Sequence, residues 1–241
     1  MSEPRRRSPR GQGAALRGDL LRAAMDLLAE TGSEEAVSMR AVATRAGVSV
    51  PSVYLHFADK QALLDAVCDE VFEALHVTMK AASEDAPHVF EALRRQGVAY
   101  VEFALANPEH YRIVMMRAHP AASEGAPADM EIAGGAFGHL VATVEACVAA
   151  GVFEGEPLHM AVRLWAAAHG IAALLVAKPY FPWPPVEELV DSTICMAGLG
   201  LVLESRVRDL RDRPLDELVA RVEAVSPVPA PRRRRPGPAG R

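Results

Sequence analysis

The chain has 241 residues, 50% of them hydrophobic, and carries a net charge of −5. This length and apolar content support a substantial core in one or two domains and exclude a wholly disordered chain. The charge is unevenly distributed. Residues 1–60 carry 9 basic and 7 acidic side chains, residues 61–224 carry 12 and 24, and residues 225–241 carry 5 and none. The acidic body therefore orients the mildly basic N-terminal part towards polyanions.

The three cysteines are odd in number and widely spaced, without a CxxC pair: Cys68, Cys147 and Cys195. This spacing indicates neither a disulfide framework nor a zinc site, and buried apolar thiols are favoured over a redox sensor. The N-terminal residues lack an apolar signal region, and no apolar run is expected to reach membrane-spanning length. We therefore expect a cytoplasmic protein without a metal or other cofactor.

The N-terminal part begins with a predicted disordered basic arm over residues 1–13, which are rich in Pro, Gly and Arg. A helix from about Leu16 to Thr31 follows, with apolar residues at helical spacing on one face and Gly32 at its end. This helix is expected to pack across the next two helices as the third member of a small bundle. The bundle would occupy residues 14–60.

A short helix is predicted to begin after Ser38, which is suited to cap it. Val37 and Val42 lie one residue before the cap and four after it, the spacing of a hydrophobic staple. The helix is expected to end at Gly47, because glycine adopts the left-handed conformation that a larger side chain resists.

A second short helix follows this turn. Ser49 is predicted to cap it, and Val48 and Val53 repeat the staple. Pro51 lies in the first turn, where its missing N–H breaks no helical hydrogen bond. Two capped helices joined by a glycine turn predict a helix-turn-helix, which presents its second helix to the DNA major groove.

Small and polar residues are left on the outer face of this pair of helices. The candidates for touching DNA are Ser38, Arg40, Ser49, Val50, Pro51, Ser52, Tyr54, His56 and Lys60. Arg40 and residues 50–52 are expected to meet base edges, because arginine can clamp a guanine and valine or proline can contact a thymine methyl. Tyr54, His56 and Lys60 are expected to bind phosphates, Lys60 from a helix start that favours an anion.

Residues 16–70 resemble the N-terminal domain of TetR-type transcriptional regulators. The residues that carry the resemblance are Ala46-Gly47-Val48-Ser49, Pro51, Tyr54-Leu55-His56-Phe57, Lys60 and Leu63-Leu64-Asp65-Ala66. The resemblance implies a DNA-binding domain with the same division into base and phosphate contacts. Val53 replaces the leucine or isoleucine that is commoner in the family.

A longer helix from Lys60 to about Ala82, with Asp59 as its cap, is predicted to link this domain to the body. Its apolar stripe is expected to consist of Leu63, Leu64, Val67, Val71, Leu75 and Met79. Every apolar segment from residue 83 to residue 213 has helical period and length. We place the helices of the body at about 87–106, 108–117, 127–151, 157–177 and 186–210. The predicted fold class is all-α, with an N-terminal three-helix helix-turn-helix domain and a larger helical ligand-binding and dimerisation domain.

The second half of the chain contains two proline-rich segments. Residues 178–185, KPYFPWPP, predict a loop with large apolar and aromatic side chains, and such a loop must pack on something. Residues 214–241 predict a short helical segment over 215–224 followed by a disordered basic tail. The basic tails at both ends either contact DNA or are simply solvated, and the sequence leaves both interpretations open.

Residues 163–178 contain the pattern Trp165-x-x-x-His169-Gly170, and with residues 100–116 they resemble the WHG-type effector domain of one TetR branch. The resemblance implies a helical domain that encloses a ligand cavity. The candidate lining residues are Tyr100, Phe103, Tyr111, Met115, Phe137, Trp165 and His169. Plain core packing is the alternative for each of them.

A four-helix dimer interface is expected from the last two long helices. The residues expected to form it are Ile171, Leu174, Leu175, Val176, Ile194, Leu199, Leu201 and Leu203.

Together these features predict a ligand-responsive repressor that binds a palindromic operator as a homodimer. A small molecule in the body would move the linker helix and release the DNA. A transcriptional activator and a ligand-independent architectural or protein-interaction dimer remain alternatives. An enzyme is not expected, because the sequence has no GxSxG elbow, phosphate loop or HExxH helix.

Overall fold

The computed structural model describes residues 12–116 and 134–206, together with residues 214, 216–217 and 219–220. All regular structure in these residues is helical, which confirms the predicted fold class. Nearly all of the predicted basic arm and tail, and the start of the helix predicted at 127, lie outside the described residues.

Nine α-helices and one 3-10 helix occur in the described part of the chain. They are α1 Gln12–Thr31, a 3-10 helix Glu34–Ala36, α2 Met39–Arg45, α3 Val50–Tyr54, α4 Lys60–Ser83, α5 Val89–Ala106, α6 Pro108–Met116, α7 Gly134–Ala149, α8 Pro157–Ala177 and α9 Val186–Arg206. The predicted order of helices is reproduced. The largest difference is at α1, which begins at Gln12 instead of Leu16.

Side-chain caps fix several helix starts. The Ser38 hydroxyl accepts from the Ala41 N–H at 3.1 Å, and an Asp59 carboxylate oxygen accepts from the Ala62 N–H at 2.8 Å. Ser49 also holds the cap position of α3, but its side chain makes no cap hydrogen bond. Its hydroxyl lies 2.8 Å from the hydroxyl of Ser52 instead. The predicted capping role of the Ser49 side chain is therefore wrong, because a nearby hydroxyl takes the place of the backbone N–H.

Two hydrophobic cores divide the protein into a head and a body. The head consists of α1 to α3, and its core includes Leu20, Val37, Val42, Val53 and Phe57. The body consists of α5 to α9, with a second core that includes Val101, Val144 and Ala161. Helix α4 belongs to both, because its first half packs in the head core and Leu75 and Met79 pack in the body core.

Helix α6 adds a second connection between head and body. Val114 is buried in the head core, while Tyr111 on the same helix is buried in the body core. The His110 ring nitrogen Nε2 lies 3.0 Å from the carbonyl oxygen of Met25 on α1. The partly buried Phe103 contacts both cores.

The loop between α8 and α9 packs less than predicted. Trp183 lies against the body core, and its indole N–H donates to the Lys178 carbonyl at 2.9 Å. Phe181 contacts Trp183 in a tilted arrangement with ring centroids 4.4 Å apart but remains exposed, and Tyr180 is 98% exposed. The loop therefore packs on the body core through Trp183, while the Tyr180 side chain lies in solvent.

By length and composition, α8 is the one described helix that could cross a membrane. This corrects the expectation that no apolar run reaches that length. Its apolar character has a structural cause, because Ala161, Leu164, Ala168 and Ala172 are buried in the body core. A core helix of a folded domain meets the same length and composition criteria.

Candidate DNA interface and effector cavity

The turn between α2 and α3 sets the orientation of α3. Gly47 has a φ of +69°, and the Val48 N–H donates to the Ala43 carbonyl at 2.9 Å. This closes α2 and redirects the chain within a few residues. Val53 and Phe57 then anchor α3 in the head core, which leaves its opposite side in solvent.

All residues predicted to contact DNA are at least partly exposed. Those that are exposed are Ser38, Arg40, Ser49, Pro51 and Tyr54, and those that are half-buried are Val50, Ser52, His56 and Lys60. Val50 packs partly against the head core. The Val50 side chain therefore helps to stabilise the head, and part of it remains accessible to a ligand.

The arginines of α2 have different environments. Arg45 binds Glu30 of α1 through two guanidinium nitrogens, one of them at 2.8 Å, and also pairs with Asp26. The hydrogen bond from Arg45 lowers the pKa of Glu30. Arg40, by contrast, is exposed and makes no ion pair with another described residue. Its charge is therefore available to a ligand, whereas that of Arg45 holds the head together.

The Lys60 side chain contacts the backbone of the head. Its ammonium group donates to the backbone carbonyl of Glu34 in the 3-10 helix, and the side chain is half-buried. At the start of α4, the carboxylate of Asp59 already accepts a hydrogen bond from one backbone N–H group, that of Ala62. A phosphate contact by Lys60 would require its ammonium group to leave the Glu34 carbonyl.

Two residues beside α3 were not predicted as part of this surface. The Arg17 guanidinium of α1 lies 5.2 Å from the centroid of the Phe57 ring, and Leu55 at the end of α3 is exposed. The cation-π contact holds the positive charge of Arg17 against the Phe57 ring. Sequence spacing could not reveal it, because residues 17 and 57 meet only after α1 has packed across the bundle.

The body contains an apolar cavity between α4, α5, α7, α8 and α9. Its empty space is about 770 Å³, including the part that is open to solvent. Four of the predicted lining residues face it: Tyr100, Met115, Phe137 and Trp165. The other three do not line it. Phe103 lies between the two cores, while Tyr111 and His169 lie behind Tyr100.

A hydrogen-bonded cluster stands at the Tyr100 side of the cavity. The hydroxyls of Tyr111 and Tyr100 lie 2.7 Å and 3.1 Å from His169 Nδ1, and the Trp165 indole N–H donates to the Tyr100 hydroxyl at 3.4 Å. Burial raises the pKa of both tyrosines and lowers that of His169. All of these side chains are therefore neutral at ordinary pH.

Much of the cavity wall was not predicted as a ligand site. Helix α4 contributes Phe72, Leu75 and Met79, and α9 contributes Ile194 and Cys195. Leu75 and Met79 belong to the predicted apolar stripe of the linker helix. Helical periodicity identifies such a stripe but cannot distinguish a side chain that meets a neighbour from one that borders a void. Cys68 and Cys147, by contrast, are buried as expected.

Arg94 is the charged side chain of the cavity wall, and its charge is balanced. It donates to both carboxylate oxygens of Glu91 at 2.8 and 2.9 Å and also binds Asp191 on α9. The hydrogen bonds from Arg94 and then Arg95 lower the pKa of Glu91 to about 2. The arginine thus links α5 to α9 as part of an ion-pair network.

Helices α8 and α9 also share an exposed apolar surface. Its large side chains are Val162, Leu174, Met196, Leu199 and Leu203. The other residues predicted for a dimer interface, Ile171, Leu175, Val176, Ile194 and Leu201, are buried inside this chain. That part of the prediction is wrong, because one face of each helix already packs in the body core. Arg163 and Glu204 connect the two helices through two hydrogen bonds of 2.7 Å.

A helix-turn-helix head joined through shared helices to a body with an apolar cavity defines a class of DNA-binding transcriptional regulators. Comparison with known families agrees. Residues 20–67 match the family "Bacterial regulatory proteins, tetR family", and residues 93–197 match "Tetracyclin repressor-like, C-terminal domain". The chain belongs to the TetR family.

Individual relatives support this assignment. The tetracycline repressor protein class A from transposon 1721 of Escherichia coli is 38% identical over 66 residues, 27% of this chain and 30% of the repressor. The chain thus matches less than a third of the length of that curated relative. A protein of unknown function from Rhodococcus sp. RHA1 is 32% identical, with 81% of this chain and 100% of that chain covered and a TM-score of 0.68.

More distant structures share the fold. The regulator FadR from Bacillus subtilis, solved in complex with stearoyl-CoA, is 14% identical, with a TM-score of 0.64 over 76% of this chain and 98% of that chain. The TetR family regulator PfmR from Thermus thermophilus is 22% identical, with a TM-score of 0.57 over 76% and 98%. At these identities the likeness concerns the fold alone.

Proposed function

We propose that this chain is a cytoplasmic, ligand-responsive repressor that binds a palindromic operator as a homodimer and leaves it when a small molecule occupies the cavity. The observation that carries this proposal is the position of α4. Leu63 and Val67 of α4 are buried in the head core, while Leu75 and Met79 are buried in the body core and border the cavity. One rigid helix therefore touches both the ligand site and the DNA-binding unit.

The exposed side of the head supplies the proposed DNA contacts. Arg40, with no ion pair among the described residues, is proposed to bind a base edge together with residues 50–52. Tyr54, which is 52% exposed, and His56 are proposed to bind phosphates beside it. Lys60 would join them after exchanging the Glu34 carbonyl for a phosphate oxygen. Ser38 and Ser49 lie at the helix starts that face the same side.

The exposed apolar surface of α8 and α9 supplies the proposed dimer contact. Large apolar side chains exposed on two long helices favour burial against a second copy of the chain. Two heads held by one dimer would meet successive major grooves on the same side of a duplex, about one helical turn apart.

The cavity supplies the proposed regulatory step. A ligand that binds better when the cavity wall is rearranged would shift α4 and α6 and change the spacing of the two heads. A coupling free energy of about 1 to 3 kcal/mol would weaken operator binding about 5- to 150-fold. Tyr100, Met115, Phe137 and Trp165 are proposed to touch the ligand. Phe103, Tyr111 and His169 are proposed to act through their neighbours.

Operator binding by matched variants tests the DNA-binding part. A duplex selected from random sequence by the full chain would be titrated by fluorescence anisotropy at several salt concentrations. We expect Tyr54→Ala and Lys60→Ala each to weaken binding several-fold. Lys60→Ala should also reduce the salt slope by about 1, because only the lysine carries a positive charge that displaces counterions from a phosphate. The matched controls are Tyr180→Ala and Lys178→Ala, which alter exposed side chains outside the head.

The outcome separates the proposal from its alternatives. If Tyr54→Ala and Lys60→Ala bind the duplex more weakly and the two control variants bind it like the unmodified chain, the proposed DNA-binding face of the head is supported. Unchanged affinity and salt slope in Tyr54→Ala and Lys60→Ala would show that DNA meets a different surface.

A further inference from the structure

The cavity wall shows what kind of ligand charge it can accept. The described residues that line it are apolar except for Arg94, Tyr100, the Trp165 indole N–H and the Cys195 thiol. The guanidinium of Arg94 is already paired with the carboxylates of Glu91 and Asp191. Within the described wall no unbalanced charge remains, so an ionic group of a ligand would be desolvated without a counter-charge.

The polar group that Tyr100 offers to the cavity is a hydrogen-bond donor. Its oxygen already accepts from the Trp165 N–H at 3.4 Å. A neutral His169 ring nitrogen has one acceptor lone pair, and Tyr111 lies closer to Nδ1 than Tyr100 does, at 2.7 against 3.1 Å. The next acceptor for the Tyr100 proton among the described residues is the Tyr111 hydroxyl at 3.5 Å, which is a weak contact.

The same conclusion holds for the other histidine tautomer. If Nδ1 carries the proton, it donates to the tyrosine oxygens, and neither hydroxyl proton can use it as an acceptor. The Tyr111 hydroxyl can then donate to the backbone carbonyl of His169 at 3.4 Å, while the Tyr100 hydroxyl can donate only to the Tyr111 oxygen at 3.5 Å. In this tautomer the Tyr100 proton lacks a close acceptor among the described residues, and in the other it competes with Tyr111 for a single lone pair, so a ligand can receive it. The Tyr100 side chain is 4% exposed, so this donor is shielded from bulk water.

We propose that the effector of this cavity is a neutral, mainly aliphatic or aromatic molecule that carries a carbonyl oxygen, and that this oxygen accepts a hydrogen bond from the Tyr100 hydroxyl. The proposal rests on the proposed function, since it takes this cavity as the effector site. Ketones, aldehydes, esters and lactones have the required chemistry. Carboxylates and ammonium ions do not, because the pairing of Arg94 leaves their charge uncompensated.

The lining of the cavity agrees with a ligand of this class. Phe72, Leu75, Met79 and Ile194 offer apolar contacts along the ligand, while one hydrogen bond at Tyr100 fixes its orientation.

Three probes of the same chain length test the ligand class: 2-nonanone, nonanoate and nonylammonium. Their dissociation constants with the full chain would be measured by isothermal titration calorimetry. We expect 2-nonanone to bind at least about tenfold more tightly than either ion, because burying an unpaired charge costs far more than burying a carbonyl group that is hydrogen-bonded. Equal or tighter binding of nonanoate, or no binding of 2-nonanone, would overturn the inference.

A conservative substitution tests the role of Tyr100. Tyr100→Phe is expected to weaken 2-nonanone binding about 5- to 10-fold, in keeping with the loss of one hydrogen bond. The infrared carbonyl stretch of bound 2-nonanone should lie at lower frequency in the unmodified chain than in Tyr100→Phe. Tyr180→Phe is the matched control, since that hydroxyl is exposed on the loop between α8 and α9. An unshifted carbonyl band in the unmodified chain would overturn the assigned hydrogen bond.

The two proposals fail in different ways. Calorimetry with 2-nonanone needs no DNA, and selection of an operator needs no ligand. Operator binding combined with a preference for nonanoate would overturn the ligand class and leave the proposed function standing. Selective 2-nonanone binding by a chain that selects no operator would overturn the proposed function and leave the ligand class standing.

Discussion

The head and the body of this protein differ in how their structures are encoded. The head is held by features that lie close together in sequence, such as the Ser38 cap and the Gly47 turn. The body is held by contacts between distant residues, such as Arg94 with Asp191 and Gly97 with Ile194. A surface that binds a fixed partner can be specified locally, whereas a cavity exists only when several helices have packed around it.

A substitution in the body should have the largest effect on stability. A Cβ atom at Gly97 would lie 2.7 Å from Cγ2 of Ile194, closer than ordinary packing allows. We expect Gly97→Val to lower the free energy of unfolding by about 3 kcal/mol through overpacking. Chemical denaturation of the full chain would measure this change. If Ile194→Ala in the same chain does not relieve part of the loss, the close approach of α5 and α9 is not its cause.

A substitution in the turn of the head should have the next largest effect, for a different reason. A side chain at Gly47 meets nothing within 4 Å, but the residue has a φ of +69°. We expect Gly47→Val to cost about 2 kcal/mol through backbone strain, and Gly47→Asn to cost clearly less because asparagine tolerates this conformation. Denaturation curves of the two variants would be compared. Equal losses would show that the turn does not depend on backbone conformation.

The two serines at the helix starts of the head provide a matched pair with a smaller effect. Ser38 makes its cap hydrogen bond and Ser49 does not. We expect Ser38→Ala to cost about 1 kcal/mol and Ser49→Ala only a few tenths. Thermal unfolding of both variants would be compared with that of the unmodified chain. A larger loss for Ser49→Ala would mean that its side chain caps α3 after all.

The smallest expected effect is a pH dependence of stability that arises in the body. Burial is the main cause of the lowered pKa of His139 and His169, with His76 and Lys80 adding to it at His139. The unfolded chain therefore takes up protons at higher pH than the folded one, and stability should fall as pH decreases through about 6.5. Denaturation midpoints between about pH 7.5 and pH 5.5 would measure the slope. His169→Gln should flatten it; an unchanged slope would exclude His169 as a source.

The sequence predicted the head more completely than the body. Ser38, Gly47 and Asp59 act as predicted because a cap or a turn depends on only a few neighbouring residues. Ser49 did not, since its hydroxyl pairs with Ser52, a choice between two local partners that the sequence does not decide. The sequence could not show that the Lys60 ammonium group donates to the Glu34 carbonyl, because residues 34 and 60 meet only after the head has packed.

In the body, helix positions were predictable and their surroundings were not. The apolar stripe of α4 was expected, but only the packed structure shows that Leu75 and Met79 border a cavity. The same limit applies to α8 and α9. Ile171 and Leu174 both belong to the apolar pattern of α8, yet Ile171 is buried and Leu174 is exposed. The direction in which a residue faces depends on the neighbouring helices that pack against it.

The most direct test of the central claim is the salt dependence of DNA binding by the unmodified full chain. The affinity for a selected palindromic duplex would be measured by fluorescence anisotropy, together with the number of chains bound. We expect two chains per palindrome and an affinity that falls steeply and log-linearly with salt, while remaining well above that for a scrambled duplex. Equal affinity for the scrambled duplex, or binding that does not respond to salt, would contradict it.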